Sequence, residues 1–279
     1  MFSTCAGEVC LANKVVWVSG ASSGLGRAAA QALVTAGWQV VAGARSFVSG
    51  GAQQDGIARL PLDVRSDPGV QAFVSQALAL YGPPDALVNA AGILVMGPAE
   101  ETSLPEYEAV LDTILLGSIR MTQAVLPLMR GKGGGKIAML SSVNGLMPTP
   151  YQSAYVAAKH ALEGYSECLM LETGGQGIQV MLVEPGDHSG GSDKYRAAAR
   201  TVSGVYEGSL ARVRAVVQKD EAQGGKPEAF GRVLARALGK RRLPARLRVT
   251  ALKEYAAIVL HDILPGRLFQ RFLSGYYKV

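Results

Sequence analysis

The chain has 279 residues, of which 48% are hydrophobic and 18% are charged. This composition excludes a disordered protein and allows one large α/β domain with a sizeable core. No apolar run reaches the roughly 20 residues that a membrane-spanning helix needs, and the N-terminus lacks the features of a secretory signal. Because the three cysteines and three histidines show no metal-ligand spacing, we expect a cytoplasmic protein with reduced thiols and no metal site.

The net charge of +6 is concentrated late in the chain, in the run KRRLPARLR at 240–248 and at Arg267, Arg271 and Lys278. No aromatic interleaving or nucleic-acid motif accompanies this charge, so we expect no nucleic-acid partner. A solvated helix face, a phosphorylated cofactor or weak contact with an anionic membrane surface remain open as its purpose.

Short apolar strands alternate with helices from residue 14 onward. The predicted strands are VVWVSG, GWQVVAGAR, IARLPLDV, DALVNAAG, KIAMLSS and IQVMLVEPG. The predicted helices span about 25–36, 67–81 with Ser66 as N-cap, 104–129 and 152–173. This alternation predicts βαβ units and a parallel sheet with right-handed crossovers. No linker divides the chain, so we expect one domain over 13–279 after a loose segment at 1–12.

The segment 187–225 differs from the rest because it is glycine-rich at its start and helical in its middle. It leaves the end of the sixth strand, where open parallel sheets bind ligands. We interpret it as a mobile lid over a substrate; an ordinary pair of surface helices is the alternative.

A glycine-rich turn joins the first strand to the first helix with the pattern GxxxGxG. Gly20 permits the tight turn, Gly24 lets the backbone approach a pyrophosphate, and Gly26 permits close packing of the helix on the sheet. The helix N-terminus offers free N–H groups to an anion. The turn therefore predicts a dinucleotide site formed by Gly20, Ser22, Ser23, Gly24, Leu25 and Gly26.

The end of the second strand indicates which dinucleotide is bound. An acidic residue there would bind the ribose 2′-hydroxyl of NAD, whereas this strand ends in Gly43-Ala44-Arg45. A guanidinium suits a 2′-phosphate, so we predict NADP(H) in preference to NAD(H). An exposed strand-end charge without a ligand is the alternative for Arg45.

Tyr155 and Lys159 lie one helical turn apart, and Ser142 ends the apolar run before that helix. Side chains at i and i+4 share a helix face. An ammonium beside a phenol favours the phenolate, so we expect Lys159 to lower the pKa of Tyr155. Ser142 could hold a substrate oxygen while Tyr155 exchanges a proton with it. A solvated YxxxK pair on an ordinary helix is the alternative.

The glycine turn, the Asn-Ala-Ala-Gly run at 89–92 and the Ser/Tyr/Lys set together resemble the short-chain dehydrogenase/reductase family over about residues 13–186. This resemblance implies a Rossmann-type, doubly wound parallel sheet of about seven strands in a three-layer α/β/α domain. It also implies a nicotinamide cofactor and hydride transfer between that cofactor and a carbonyl or alcohol carbon.

Position by position, the resemblance implies that Tyr155 is the catalytic acid/base, Lys159 binds the nicotinamide ribose, and Ser142 orients the substrate oxygen. It further implies cofactor contacts on the adenine–ribose side by Asn89, Ala90 and Gly92. The adenine would lie beside Asp63 and Val64, and the nicotinamide would lie against Pro185 and Gly186.

Two positions depart from the family pattern. Ile114 replaces an asparagine that helps hold a water in the proton relay to the lysine, and Thr113 or a bound water could substitute. Gly190 replaces a threonine that binds the carboxamide, with Ser189 and Ser192 close by.

The residues around Tyr155 and Arg45 look most like the hydroxysteroid and retinol dehydrogenase-like branch. The basic, leucine-rich extension at 240–279 also suits that branch, where such an end covers a pocket or touches membrane; core helices closing the domain are the alternative. We therefore expect a ketone or aldehyde to be interconverted with an alcohol on an apolar, steroid-, retinoid- or polyketide-like substrate. The expected pocket is lined by Ile93, Leu94, Met96, Val143, Leu146, Met147, Pro148 and Tyr151, with His188 at its edge.

Other functions remain open at this point. The replacements at Ile114 and Gly190 could mark a member repurposed for cyclisation, dehydration or isomerisation without hydride transfer. A nucleotide-sensing binding protein is a third reading, although it would need no Ser/Tyr/Lys set. The family resemblance implies a homodimer or homotetramer paired through the long helix and the Tyr155 helix.

Overall fold

The computed structural model describes residues 14–48, 55–189 and 195–279. The predicted loose segment at 1–12 lies outside the described residues, as do Cys5, Cys10, Gly190 and Ser192. Most of the predicted lid, 187–225, is described.

Nine strands and nine α-helices are present in the described part of the chain. The strands are Val15–Ser19 (β1), Gln39–Ala44 (β2), Ile57–Pro61 (β3), Ala86–Asn89 (β4), Leu94–Met96 (β5), Gly135–Leu140 (β6), Ile178–Pro185 (β7), Arg196–Ala198 (β8) and Arg246–Val249 (β9). The helices are Gly24–Thr35 (α1), Asp67–Tyr81 (α2), Leu104–Leu111 (α3), Gly117–Gly131 (α4), Ser153–Thr173 (α5), Gly204–Ala222 (α6), Pro227–Gly239 (α7), Leu252–Ile263 (α8) and Gly266–Tyr277 (α9).

Seven strands form one parallel sheet in the order β3-β2-β1-β4-β6-β7-β9. The order reverses between β1 and β4, which makes a crevice at the carboxyl ends of these two strands. A separate two-stranded sheet pairs β5 with β8. The predicted Rossmann-type α/β fold is therefore confirmed.

The predicted strands and helices form where the sequence pattern placed them. Strand β1 is buried at every position, as expected for the centre of a parallel sheet. Helix α2 begins after Ser66, whose hydroxyl accepts a hydrogen bond from the Gly69 N–H at 3.1 Å. This side-chain cap satisfies one of the free N–H groups at the helix start.

The core lies on both faces of the seven-stranded sheet. On one face, Trp17 packs edge-on against Phe73 of α2 with ring centroids 5.8 Å apart, and Met121 and Leu162 extend the contact. On the other face, α1 and α7 pack against the sheet through residues such as Phe230. This two-sided burial fixes the crevice between rigid layers.

The helix predicted at 104–129 is continuous from residue 104 to 131, with a π-helical turn at Asp112–Leu116 between α3 and α4. By length and composition this helix could cross a membrane, with a mean hydropathy of 1.3, which corrects the expectation that no segment could. In this fold its apolar side packs into the core through Val110, Ile114, Met121 and Val125.

The C-terminal residues belong to the fold rather than extending from it. Strand β9 pairs with β7 and forms one edge of the sheet, so the extension predicted at 240–279 contributes a strand to the fold. Helices α6, α8 and α9 share a further apolar cluster with Leu94 and Met147. This cluster covers the carboxyl end of the sheet, where a lid was expected; its mobility stays a prediction.

Candidate active site

The glycine turn after β1 leaves no room for larger side chains. Gly20 has a φ of 71°, and a Cβ at this position would lie 2.6 Å from the backbone of Ala91. A Cβ on Gly26 would lie 2.3 Å from the carbonyl oxygen of Gly20. Ser23, the N-cap of α1, makes no side-chain cap hydrogen bond. Among the described residues, the first N–H groups of α1 therefore have no side-chain acceptor, and they suit an anion such as a pyrophosphate.

This turn forms one end of a groove with a volume of about 190 Å³. The groove brings together most of the residues predicted to bind the cofactor: Gly20, Ser22, Ser23, Gly24, Leu25, Gly26, Arg45, Asp63, Val64, Ala90, Gly92, Tyr155, Lys159 and Pro185. Gly186 lines the neighbouring cavity instead. Sequence reasoning assigned no cofactor contact to several further residues of this groove: Ala44, Leu62, Arg65, Ala91, Thr113, Leu140, Ser141 and Tyr195.

Asn89 lies beneath the groove rather than in its wall. Its side-chain nitrogen donates to the Thr122 hydroxyl at 3.2 Å and to the Ser118 carbonyl at 3.4 Å. These bonds tie β4 to α4, so Asn89 supports the sheet. Asn89 is buried and lines neither the groove nor the neighbouring cavity, and its contact with the adenine–ribose side stays a prediction.

Two guanidinium groups lie at the adenosine end of the groove. The predicted Arg45 is joined there by Arg65, whose Nη2 lies 2.9 Å from Asp63 Oδ2. The hydrogen bond from Arg65 lowers the pKa of the Asp63 carboxyl, and the nearby charge of Arg45 adds to this effect. Two cations and one carboxylate leave this end with an excess of positive charge.

Ser142, Tyr155 and Lys159 come together where the groove borders a neighbouring cavity. Ser142 follows β6, and Tyr155 and Lys159 lie on α5. Lys159 Nζ lies 5.5 Å from the centroid of the Tyr155 ring and donates to the Leu140 carbonyl. Tyr155 lines both the groove and the neighbouring cavity, whereas Lys159 lines only the groove and Ser142 only the cavity. The tyrosine hydroxyl therefore stands where two ligands could meet.

The expectation that Lys159 lowers the pKa of Tyr155 is wrong for this structure. Burial raises the pKa of the Tyr155 hydroxyl and the neighbouring Tyr195 adds to this, while a hydrogen bond with Ser142 opposes it. Burial also lowers the pKa of Lys159 to about 7, against the attraction of Glu163. Removal of both groups from water outweighs the charge effect that their spacing suggested.

The first departure from the family pattern leaves an apolar side chain where the asparagine was expected. Ile114 lies in the π-helical turn and is 1% exposed within the apolar core. Its neighbour Thr113 lines the groove, but the Thr113 hydroxyl donates to the Ala109 carbonyl at 2.7 Å. Substitution of Thr113 for the missing asparagine stays a prediction.

Beyond Tyr155 lies a second cavity with a volume of about 230 Å³. Four of the nine residues expected in the substrate pocket line it, namely Leu94, Val143, Met147 and His188. Met96 and Tyr151 do not: Met96 is buried in β5, and the Tyr151 hydroxyl is bound to Ser209. Of the other expected residues, Ile93 lines the cofactor groove, while Leu146 and Pro148 line neither space.

One end of this cavity is acidic, which the sequence did not predict. Four carboxyl residues, Asp187, Asp220, Glu221 and Glu254, line it together with only two cations, Arg196 and Lys253. They come from the loop after β7 and from α6, β8 and α8. In the described part of the chain, no group of these residues has an arrangement that could hold a metal ion.

The carboxyl groups of this acidic end differ in their partners. Asp220 accepts from Lys253 and Tyr276 at 2.7 and 2.6 Å, and Glu221 pairs with Arg196. Burial raises the pKa of Asp187 to about 7, and the neighbouring Glu254 adds to this effect. The charge of Asp187 therefore changes with pH in the neutral range.

Apolar residues of α6, α8 and α9 also line this cavity. They are Val217, Ala257, Phe272 and Leu273. The cavity thus combines apolar and acidic residues in its lining, beside the tyrosine. The apolar substrate expected from the sequence matches only the apolar part of this lining.

Comparisons with known proteins agree with this architecture. A family model described as short chain dehydrogenase matches residues 14–199. The chain is 32% identical over 269 residues to a 3-ketodihydrosphingosine reductase of Bacteroides thetaiotaomicron, covering 95% of this chain and 98% of the relative. It is 30% identical over 288 residues to dehydrogenase/reductase SDR family member 7B of Xenopus tropicalis, covering 96% and 87%.

A solved structure shows the same fold along nearly the whole chain. It is a short-chain dehydrogenase from Streptomyces avermitilis, 32% identical, with a TM-score of 0.80 over 95% of this chain and 96% of that one. The family match spans the glycine turn, β4 and the Ser142–Lys159 region, which carry the motifs that suggested the resemblance. The chain is accordingly an oxidoreductase-type member of the short-chain dehydrogenase/reductase family.

Proposed function

We propose that the protein is an NADP(H)-dependent oxidoreductase that reduces a ketone bearing an apolar chain and a cationic head group. The observation that carries this proposal is the place of Tyr155, in the shared wall of the cofactor groove and the second cavity. A ketone in the second cavity and a nicotinamide in the groove would both reach this hydroxyl.

The groove has the features that a phosphorylated dinucleotide requires. The uncapped start of α1 suits the pyrophosphate, Arg45 and Arg65 suit a 2′-phosphate, and Lys159 suits the ribose hydroxyls. A bound NADPH would supply the hydride that converts the carbonyl carbon to an alcohol carbon.

The proton chemistry of the chain favours reduction. Because burial raises the pKa of Tyr155, its hydroxyl is protonated at neutral pH and can protonate the carbonyl oxygen as the alcohol forms. The Ser142 hydroxyl, which shares the cavity, can hold the same oxygen through a hydrogen bond. A proton from Lys159 or from solvent then restores the tyrosine.

The lining of the cavity indicates the kind of ketone. Its apolar residues accommodate a hydrocarbon chain, and the acidic residues around Asp187 attract an ammonium group. 3-Ketodihydrosphingosine, named in one relative, is a ketone with a long alkyl chain on one side and an amino group on the other. A long-chain amino ketone therefore fits this cavity better than the steroid or polyketide expected from the sequence.

The decisive experiment follows deuterium from C4 of labelled NADPH into a long-chain 2-amino-3-ketone, using mass spectrometry of the product. We expect the wild-type protein to form deuterated alcohol. We expect Tyr155→Phe to bind NADPH normally but to lose at least a hundredfold in rate, on the order of the known contribution of general acid catalysis. Tyr165→Phe, on the same helix but outside both spaces, is the matched control.

The outcomes of this experiment separate the remaining functions. A product without deuterium would point to cyclisation, dehydration or isomerisation on the same fold. Normal turnover by Tyr155→Phe would contradict the proposed acid. NADPH binding without turnover of any ketone would favour a nucleotide-sensing protein.

We also propose that the protein works in the cytoplasm as a homodimer or homotetramer and touches anionic membrane surfaces through its C-terminal helices. Helix α9 exposes Leu268, Phe272 and Tyr276 beside Arg267 and Arg271, a combination suited to lipid contact. Phe272 and Tyr276 also line the second cavity, so a lipid-like ketone could enter from that side.

A further inference from the structure

A buried polar cluster lies behind the candidate catalytic lysine. It contains Lys159, Glu163 and Ser141, which are 4%, 6% and 1% exposed. Glu163 is one helical turn after Lys159 on α5, so both side chains share a helix face. A carboxylate is rarely buried to this extent without a partner or a purpose, and the proposed mechanism has not used it.

The contacts of this cluster place the Glu163 carboxylate near the end of β6, where the Lys159 ammonium is bound. Lys159 Nζ donates to the Leu140 carbonyl, and Ser141 is the next residue. A Cβ on Gly145 would lie 2.6 Å from Ser141 Oγ and 3.2 Å from Glu163 Oε1, so these two oxygens lie under the same glycine. Both atoms are buried, and neither completes a well-formed hydrogen bond with any residue in the described ranges.

The other carboxylate oxygen is held by Arg246 of β9. Its Nη1 lies 2.6 Å from Glu163 Oε2, and its Nη2 lies 2.5 Å from Oε1 of Glu167 on the outer side of α5. Arg246 also binds Glu184 of β7, which is fully buried. Strand β9 therefore fixes the orientation of Glu163, the α5 carboxylate that lies one helical turn from Lys159.

Electrostatics link Glu163 to Lys159 directly. Burial disfavours the ammonium and brings the pKa of Lys159 to about 7, whereas the charge of Glu163 raises it. Burial raises the pKa of Glu163, and contacts with Ser141 and Arg246 counteract this. The groups that face Glu163 are thus Ser141, Arg246, Glu184 and the two neighbours on its own helix, Lys159 and Glu167.

We infer that Glu163 is a positioning residue that keeps Lys159 in its charged form at the floor of the cofactor groove, with Arg246 fixing the carboxylate. A neutral amine there could neither attract the electron-rich ribose hydroxyls as strongly nor return a proton to the Tyr155 phenolate. This use of the charge rests on the proposed function. The charge itself is a property of the free protein and can be measured without cofactor or substrate.

The test is competitive acetylation of the full-length protein with trace acetic anhydride between pH 5.5 and 9.5. Mass spectrometry of the Lys159 peptide reports the fraction of free amine at each pH, and the midpoint is the pKa of this lysine. For Glu163→Gln we expect the midpoint to fall by about one unit or more, the effect of removing an opposite charge at short range. Glu163→Asp, which withdraws the carboxylate by one methylene, should give a smaller fall.

Glu167→Gln is the matched control because it removes a carboxylate from the same arginine on the exposed side of α5. We expect it to leave the Lys159 midpoint unchanged, and circular dichroism verifies that each variant is folded. An unchanged or raised midpoint in the Glu163 variants would overturn the inference, as would an equal fall in Glu167→Gln. If Glu163→Gln does not fold, the Asp variant decides on the same criterion.

This measurement is independent of the proposed reductase activity. A shifted midpoint in a protein that binds no NADPH would confirm the Glu163–Lys159 coupling and refute the proposed function. NADPH-dependent reduction with an unshifted midpoint would support the proposed function and refute the Glu163–Lys159 coupling.

Discussion

The Arg65 guanidinium binds both carboxylate oxygens of Asp63, with Nε 3.1 Å from Oδ1 and Nη2 2.9 Å from Oδ2. This pairing satisfies the carboxylate at the adenosine end of the groove. Arg45, at the same end of the groove, forms no ion pair with any residue in the described part of the chain. Arg45 is therefore the cation that an incoming 2′-phosphate would meet without displacing an existing partner.

We predict that Arg45→Ala raises the Kd for NADPH by roughly ten- to a hundredfold, the loss of one charge-assisted hydrogen bond to phosphate. The Kd for NADH should stay unchanged, because NADH has no 2′-phosphate. Titration with cofactor fluorescence measures both constants. Arg130→Ala, which removes an arginine bound to Gln176 outside the groove, is the control. Equal weakening for the two cofactors would contradict the role of Arg45.

The parts of the site that could be predicted from the sequence are those encoded within short stretches of chain. The glycine turn, the Ser66 cap and the Tyr155–Lys159 spacing each depend on neighbours a few residues apart. The direction in which the pKa of Tyr155 is shifted could not be predicted in the same way. It depends on how much water surrounds the pair, and only the packed structure determines that.

The acidic end of the second cavity shows the same limit. Asp187, Asp220 and Glu254 lie more than thirty residues apart in the chain, yet they line one wall. Each alone resembles a solvated surface charge. Strand β9 was missed for a related reason: its arginines suggested a surface segment, whereas they pair with the buried Glu184 of the next strand.

If Asp187 binds the ammonium of the substrate, the KM for an amino ketone should fall as pH rises through about 7. This follows because burial and Glu254 raise the pKa of Asp187 to about 7, and only the ionised carboxylate attracts the cation. Asp187→Asn should remove this pH dependence and raise the KM about tenfold, the effect of one lost charge-assisted contact. Steady-state kinetics across pH 6–9 measure both effects.

The matched comparison is a ketone of the same chain length without the amino group. The KM for this ketone should not respond to Asp187→Asn. Asp262→Asn, at an exposed carboxylate, should leave the KM for both ketones unchanged. An equal effect on both ketones would show that Asp187 shapes the cavity instead of recognising an amine.

The same residue predicts a change in stability with pH. A carboxyl group with a raised pKa in the folded state stabilises the fold at low pH, below its unfolded pKa near 4. That contribution is lost as pH rises through the folded pKa of about 7. Asp187→Asn should therefore raise the Tm relative to the wild-type protein at pH 8.5 more than at pH 5. Thermal unfolding followed by circular dichroism provides the measurement, and a larger gain at pH 5 would contradict it.

For α9 we predict binding to anionic vesicles. Leu268, Phe272 and Tyr276 recur every four residues and are 51%, 45% and 41% exposed, so they form one stripe along the helix. In sedimentation with phosphatidylcholine vesicles containing phosphatidylglycerol, Leu268→Ser with Phe272→Ser should reduce the bound fraction severalfold. Leu80→Ser, equally exposed at 45% on α2, should have no effect. A bound fraction that changes neither with salt concentration nor with the α9 substitutions would contradict this prediction.

The expected homo-oligomer should pair through the long helix and α5. Leu116 in the π-helical turn and Leu171 on α5 are 43% and 86% exposed, and burying such leucines in an interface would favour association. We predict a dimer or tetramer in light scattering at micromolar concentration. The double variant Leu116→Glu with Leu171→Glu should reduce the mass to that of a monomer, because it buries charge in the interface. Leu268→Glu, on α9, should leave the mass unchanged; dissociation by this variant alone would place the interface at the C-terminal helices instead.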